Sequence, residues 1–349
     1  MRIAQLAPTY ERVPPSAYGG TELVVHLLTE ALVRRGHDVT LYASGDSTTS
    51  ARLRSVTPHP VRYGDSSNGL RHAEYLQLAN TQACFLAAAS GEFDLVHNHA
   101  GIEGLVLGAS SRTPVLTTNH NPFVPQTQPI WDAYPWAHNE LSIASAETFP
   151  SRGALAPIHH GIDVASYRPG DGGGGYLAFL GRFTQEKGAA RAIEAARRAG
   201  RRLILAGKVD TADADYFTSV IEPLLDGDRV RYVGEADAET KRDLLTGAEA
   251  LLFPIQWDEP FGLVMIEALA CATPVIGLRW ASVPEVVDDG VTGFVTDDVD
   301  GMVAAIGRIG EIDRAACRRA AEERFDAARM VDDYERAYET VVELATAPR

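Results

Sequence analysis

Short apolar runs alternate with amphipathic stretches along this whole chain, and the alternation restarts once, after a cluster of glycines. An apolar run too short for a helix, followed by a segment with helical spacing, is the pattern of parallel βα units. Ile3–Ala7 reads as the first strand. Thr21 is placed to N-cap a helix whose Val24, Leu27, Leu28, Ala31 and Leu32 fall on one face. Gly36 ends that helix and Val39–Ala43 is the next strand. Further strands are expected at Leu95–His97, Val115–Thr118 and Leu141–Ala144.

The restart lies at Tyr167-Arg168-Pro169-Gly170-Asp171-Gly172-Gly173-Gly174-Gly175. A proline followed by glycines holds neither helix nor strand, so an interdomain linker is expected there. Strands then follow at Tyr176–Leu180, Leu203–Ala206, Val230–Val233, Ala250–Phe253 and Pro274–Ile276, with helices between them. The tail, roughly Ala327–Leu344, reads as one long helix. The expected fold class is therefore α/β, with two doubly wound, Rossmann-like domains facing across a cleft. The first covers residues 1–168 and the second 169–325, while 326–349 forms a helix expected to pack back toward the first. A length of 349 residues suits two such domains. Ligands of doubly wound sheets sit beyond the C-terminal ends of the strands, so the cleft is the expected site.

Composition narrows the ligand. With 32 Lys and Arg against 47 Asp and Glu, the formal charge is -15, which argues against nucleic acid as a partner. An anionic ligand must meet a local basic site inside an acidic body. Cys84, Cys271 and Cys317 are widely separated and lack metal-ligand spacing, so a reduced cytoplasm is the expected setting and no metal is expected. The apolar burst at Met1–Ala7 is stopped by Pro8 and is too short for a signal sequence. No apolar run reaches the roughly 18 residues of a membrane span, so no transmembrane helix is expected.

The most informative segment is Asp258-Glu259-Pro260-Phe261-Gly262-Leu263-Val264-Met265-Ile266-Glu267-Ala268. It follows an apolar strand and leads into a helix beginning near Gly262. Pro260 and Gly262 shape the turn, and the amides of Phe261, Gly262 and Leu263 point out of the helix N-terminus. That end carries about half a positive charge and binds anions or hydroxyl oxygens. Glu259 stands just before the helix, within reach of the same ligand. Glu267 lies inside it among Ile266, Ala268 and Leu269, and a buried glutamate calls for a partner. Upstream, Arg182 and Lys187 share the loop Gly181–Gly188 between a strand and a helix, and two cations beside a helix start suit a diphosphate. Gly19 and Gly20 give a bare backbone before the first long helix. His120 follows the strand Val115–Thr118. Trp131, Tyr134 and Trp136 lie in a proline-containing loop and offer flat faces for stacking on a sugar, or for packing that loop on its own domain.

The spacing of Glu259 and Glu267 matches the E-x7-E signature of retaining glycosyltransferases with the GT-B fold, and the chain resembles family 4 in particular. Tyr18-Gly19-Gly20-Thr21-Glu22 looks like the family's glycine loop, His97-Asn98-His99 follows a strand as in its N-terminal domain, and Gly181–Gly188 looks like its G-R-x-x-x-x-K-G. Gly161-Ile162-Asp163 resembles the family's N-G-[IV]-D turn, with His160 where asparagine is usual. The resemblance implies transfer of a hexose from a nucleotide-diphosphate sugar, UDP-glucose or GDP-mannose, to a saccharide or other hydroxyl acceptor, without a cofactor or metal. It implies that Glu267 holds the ribose and that Arg182 and Lys187 hold the diphosphate. Glu259 and the amides near Gly262 then take the hexose, His120 contacts the transferred sugar, and the glycine loop at Gly19 and Gly20 closes over the donor. Trp131, Tyr134 and Trp136 are the candidate acceptor surface, while His97 and His99 are given a structural or acceptor-side role. Same-face transfer comes from the resemblance, since the sequence alone leaves double displacement open. A nucleotide-sugar epimerase and a catalytically silent sugar-nucleotide binder are the alternative readings.

Overall fold

The computed structural model describes the chain apart from residues 17–18, 62–66 and 347–349 and the side chains of 67–71, so Tyr18 of the glycine loop lies outside the described residues. The chain divides into two units: Met1–Gly161 with Ala327–Arg349, and Ile162–Asp326. Each is built on one six-stranded parallel sheet.

The first unit contains β1 (Arg2–Leu6), β2 (Asp38–Tyr42), β3 (Arg52–Arg54), β4 (Leu95–Asn98), β5 (Val115–Thr118) and β6 (Ala137–Asn139). Their order is β3-β2-β1-β4-β5-β6, so the chain winds outward from β1 in one direction and then from β4 in the other. The inner strands are apolar on both faces because helices cover both, and Ile3, Leu6, Leu41, Leu95 and Val115 are fully buried. The second unit contains β7 (Leu177–Leu180), β8 (Leu203–Ala206), β9 (Val230–Tyr232), β10 (Leu251–Phe253), β11 (Val275–Leu278) and β12 (Gly293–Thr296). Their order is β12-β11-β10-β7-β8-β9. The winding direction reverses between β7 and β10, which pair with Leu251 opposite Ala178. A crevice beyond the carboxyl ends of two such strands is where doubly wound sheets bind ligands.

Several expectations need correction. Leu141–Ala144 is not a strand. The sixth strand lies earlier, at Ala137–Asn139, and Ile143–Ala146 is a short helix capped by Ser142, whose Oγ accepts from the Ser145 amide at 3.1 Å. The strand is hidden in the sequence because it carries His138 and Asn139, both buried and satisfied by hydrogen bonds rather than by apolar contact. The strands β3 and β12 lie outside the expected set. Thr21 is inside its helix, which spans Gly20–Arg34 with Gly19 at the N-cap. Here backbone shape wins over side-chain capping, because Gly19 has φ 148° and a Cβ there would lie 2.7 Å from the Cβ of Pro15.

The glycine run is not the boundary. The division falls at Gly161/Ile162, not at 168/169, and the glycines belong to the second unit. The Gly170 amide donates to Cys271 O at 2.9 Å and the Gly174 amide to Gly247 O at 3.0 Å. A Cβ on Gly170 would sit 2.0 Å from Thr246 O, so the segment is glycine-rich in order to lie flat against its neighbours. The last helix, Ala327–Thr346, is part of the first unit, burying Met330, Val331, Tyr334, Ala337, Tyr338 and Val341 along one face. Among the described residues, no helix is long and apolar enough to cross a membrane.

Candidate active site

In the second unit, the loops leaving β7 and β10 carry the residues singled out in the sequence. Gly181–Gly188 leads from β7 into the helix Ala189–Arg198, and Pro254–Gly262 leads from β10 into the helix Leu263–Ala270. The two loops are stitched together. The Gln256 amide donates to Glu186 O at 2.9 Å, and Arg191 Nε donates to Pro254 O at 3.0 Å. Gly188 has φ 81°, and a Cβ on it would come within 2.3 Å of Pro254 O. No other residue keeps the loops this close.

That closeness brings Lys187 against Glu259 in an ion pair, with the two side chains only 15% and 13% exposed. Trp257 organises the pair. Its Nε1 donates to Glu259 Oε2 at 2.7 Å, and its ring centroid lies 4.7 Å from the Lys187 ammonium. One indole thus orients the carboxylate with its edge and the cation with its face. Just beyond, Gly262 occupies the N-cap of the helix Leu263–Ala270 with φ 82°. Phe261 is buried and its carbonyl accepts from Ser282 Oγ at 2.6 Å, which fixes the entry of the helix. Gly262 and Leu263 stand at the head of this helix, where first-turn amides have no intrahelical acceptor, and the Glu259 carboxylate lies just before them in the chain.

Glu267, farther along the same helix, is 3% exposed. Its Oε1 accepts from the Tyr167 hydroxyl at 3.0 Å and is ion-paired to Lys241. Burial, reinforced by the neighbouring Glu267, pushes the Tyr167 hydroxyl pKa up, so this phenol stays a donor. Arg182 is ion-paired to Asp210 at 3.6 Å, and Lys208 joins the same carboxylate at 2.7 Å. The loop after β8 therefore adds a third cation to the two expected ones.

In the first unit, His120 follows β5 and its Nε2 lies 2.9 Å from Nδ1 of His99. His160 stacks on it, with ring centroids 5.3 Å apart and planes 24° from parallel. Burial depresses the His120 imidazole to about 3 and holds His97, His99 and His160 well below the usual histidine range. All four rings are therefore neutral at physiological pH. Near the head of the first helix, the Glu22 carboxyl is pushed up to about 7, mainly by burial and then by the nearby Glu11.

The aromatic loop does not offer the expected sugar-binding faces. Trp131 and Tyr134 are buried, with Trp131 edge-on to Tyr134, His138 and Phe149. The Tyr134 hydroxyl is bonded to Thr117 Oγ1 at 2.8 Å, and Trp136 Nε1 donates to Gly108 O at 3.1 Å. These rings fasten the loop to the unit's own core; Trp131 and Tyr134 are too buried to form an acceptor surface, and Trp136 is half-buried with its Nε1 already bonded.

The structure thus brings Lys187 and Glu259 together, and it sets Arg182 with Asp210 and Glu267 with Tyr167 and Lys241. Sequence reasoning missed Trp257, Lys208, Lys241 and Tyr167, and it marked His160 only as a departure from the turn pattern, not as a neighbour of His120. Trp257 alone carried a signal, as an aromatic two residues before an acid.

The pattern described as "Glycosyl transferases group 1" matches residues 170–324, and that described as "Glycosyltransferase Family 4" matches residues 18–165. The phosphatidyl-myo-inositol mannosyltransferase of Mycolicibacterium smegmatis is 27% identical over 376 residues, covering 98% of this chain and 94% of that one. Among solved structures, the sucrose-phosphate synthase of Thermosynechococcus elongatus is similar with a TM-score of 0.79 at 21% identity, over 99% of this chain and 100% of the other. The Anabaena protein HepE, solved with UDP and glucose, is similar with a TM-score of 0.73 at 19% identity, over 97% and 100% of the two chains. Both have the fold described above.

Proposed function

Because this chain belongs to glycosyltransferase family 4 and has the GT-B fold, we propose that it transfers a hexose, with retention, from a nucleotide-diphosphate sugar to a hydroxyl acceptor. The observation that carries this reading is the Lys187–Glu259–Trp257 cluster at the point where the second sheet reverses its winding. A cation, a carboxylate and the first turn of a helix meet there at the strand ends, which suits a ligand with an anionic leaving group beside a polyhydroxylated ring.

In this reading Glu267 accepts from the ribose hydroxyls, Arg182 and Lys187 hold the diphosphate, and Glu259 takes the hexose with the amides of Phe261, Gly262 and Leu263. His120 contacts the transferred hexose, and Gly19 and Gly20 lie over the donor. The bond from the anomeric carbon to the diphosphate oxygen breaks first, and its electron pair stays on the phosphate. The acceptor oxygen then bonds to that carbon on the same face, and its proton passes to a phosphate oxygen of the leaving group. Glu259 stabilises the positive charge that develops in between. The mannosyl transfer in the name of one relative and the UDP and glucose bound by HepE keep both GDP-mannose and UDP-glucose as candidate donors.

The test is incubation with each donor, with and without candidate acceptors, scored for free nucleotide diphosphate. Acceptor-dependent release is expected. Isomerised donor without release would mark an epimerase, and binding without turnover would mark a silent module.

Two further results are expected. Activity should survive excess EDTA, since two cations neutralise the departing diphosphate. Loss in chelator with recovery on adding magnesium or manganese would place the leaving-group charge on a metal instead. Glu267→Gln should mainly raise the donor KM, because the ribose keeps its shape through the reaction and is held equally in ground and transition states. A collapse of kcat with unchanged KM would move the sugar to Glu267.

A further inference from the structure

We propose that a directed chain of buried hydrogen bonds, running from Asn139 through Thr118, His97, Tyr338, Gln5 and His99, fixes His120 with its proton on Nε2. Its Nδ1 is then a pure acceptor for a hydroxyl of the transferred hexose. The proposal rests on the reading that His120 meets that hexose.

The direction follows link by link. Asn139 Nδ2 donates to Glu140 O at 3.3 Å, so its Oδ1 is the atom that faces Thr118 and accepts from it at 2.8 Å. Thr118 has spent its proton and must accept from His97 Nε2 at 2.8 Å. His97 Nδ1 is then a lone pair, and it takes the Tyr338 hydroxyl proton at 2.7 Å. The Tyr338 oxygen accepts from Gln5 Nε2 at 2.9 Å, which turns the Gln5 amide oxygen toward His99 Nε2 at 3.0 Å. His99 therefore carries its proton on Nε2 and offers Nδ1 to His120, whose Nε2 must donate across 2.9 Å. Reversing any one link would set two protons or two lone pairs face to face at hydrogen-bond distance.

Every intermediate member of the chain is at most 2% exposed, so water does not compete for these groups. Neutral rings are required throughout, and burial supplies that condition. The stacked His160 braces the His120 ring from its face. The arrangement suits the reaction for two reasons. A neutral imidazole adds no positive charge beside a carbon that is becoming cationic. An acceptor-only nitrogen also admits a hydroxyl in one orientation, with its proton toward the ring. His99, Gln5 and Tyr338 are positioning residues in this scheme, acting through His120.

The test reads the tautomer directly, on the whole protein labelled with ¹⁵N-histidine. Long-range ¹H–¹⁵N spectra, with His120 assigned by its disappearance in His120→Ala, should show a protonated Nε2 and a bare Nδ1 at neutral pH. Tyr338→Phe keeps the ring and removes the link. It should give a mixture of His120 tautomers and a kcat about 10-fold lower, the scale of one buried hydrogen bond lost, with the donor KM little changed. A wild-type His120 protonated on Nδ1 overturns the proposal, as does a Tyr338→Phe protein with unaltered tautomer and kcat. If the spectra show Nε2–H but His120→Ala turns over like wild type, the chain stands and the contact with the hexose is wrong.

Discussion

Glu259→Gln is expected to lower kcat on the order of 100-fold or more while changing the donor KM little. The side chain is oriented by Trp257 Nε1 and paired with Lys187, so it is already aligned before the charge it stabilises appears. Glutamine keeps the length and most of the shape but removes the negative charge that a developing oxocarbenium ion needs. It also leaves the Lys187 ammonium, largely shielded from water, without its counter-ion. Steady-state kinetics at saturating donor, with circular dichroism to confirm folding, measure the effect. A variant that raises only KM would put Glu259 on a part of the donor that does not change during reaction.

Lys187→Ala is expected to cost a similar factor, on the order of 100-fold or more in kcat/KM, because the leaving diphosphate loses its counter-charge. Arg182→Ala should act in the same direction. The structure adds a constraint that separate roles would not. Lys187 touches Glu259, so the double variant Lys187→Ala/Glu259→Gln should cost clearly less than the product of the two single effects. Full multiplicativity would mean that the pair is a contact of convenience. If Lys187→Ala and Arg182→Ala both stay within a factor of about three of wild type, far short of the loss expected for a leaving-group counter-charge, the diphosphate assignment fails.

Most of the strands were legible because their apolar residues are buried on both sheet faces, as at Val115–Thr118 and Leu203–Ala206. The failures share a cause. The sixth strand carries His138 and Asn139, whose burial is balanced by hydrogen bonds that hydropathy does not register. The glycine run has the composition of a slack linker, whereas its missing side chains let it lie against Thr246 and Gly247. For the site, Glu259, Glu267, Arg182 and Lys187 stood out by local order around glycines. Tyr167 and Lys241 did not, because they meet Glu267 from 100 and 26 positions away. Trp131 and Tyr134 show the opposite error, since an aromatic in a loop looks available until the loop is folded down.

The hydrogen bond between Gln5 and Tyr338 joins residues 333 positions apart. Between them in the chain lies the whole of the second unit, Ile162–Asp326. During vectorial synthesis the first sheet is complete after Asn139, yet its buried polar row lacks Tyr334 and Tyr338 until the ribosome has made everything downstream. The unit that begins first is therefore the last to be completed, and His97 lacks its Tyr338 partner until the chain of the other unit has been made. Contacts of such long separation close late, since the intervening chain must be ordered before they repay the loop entropy.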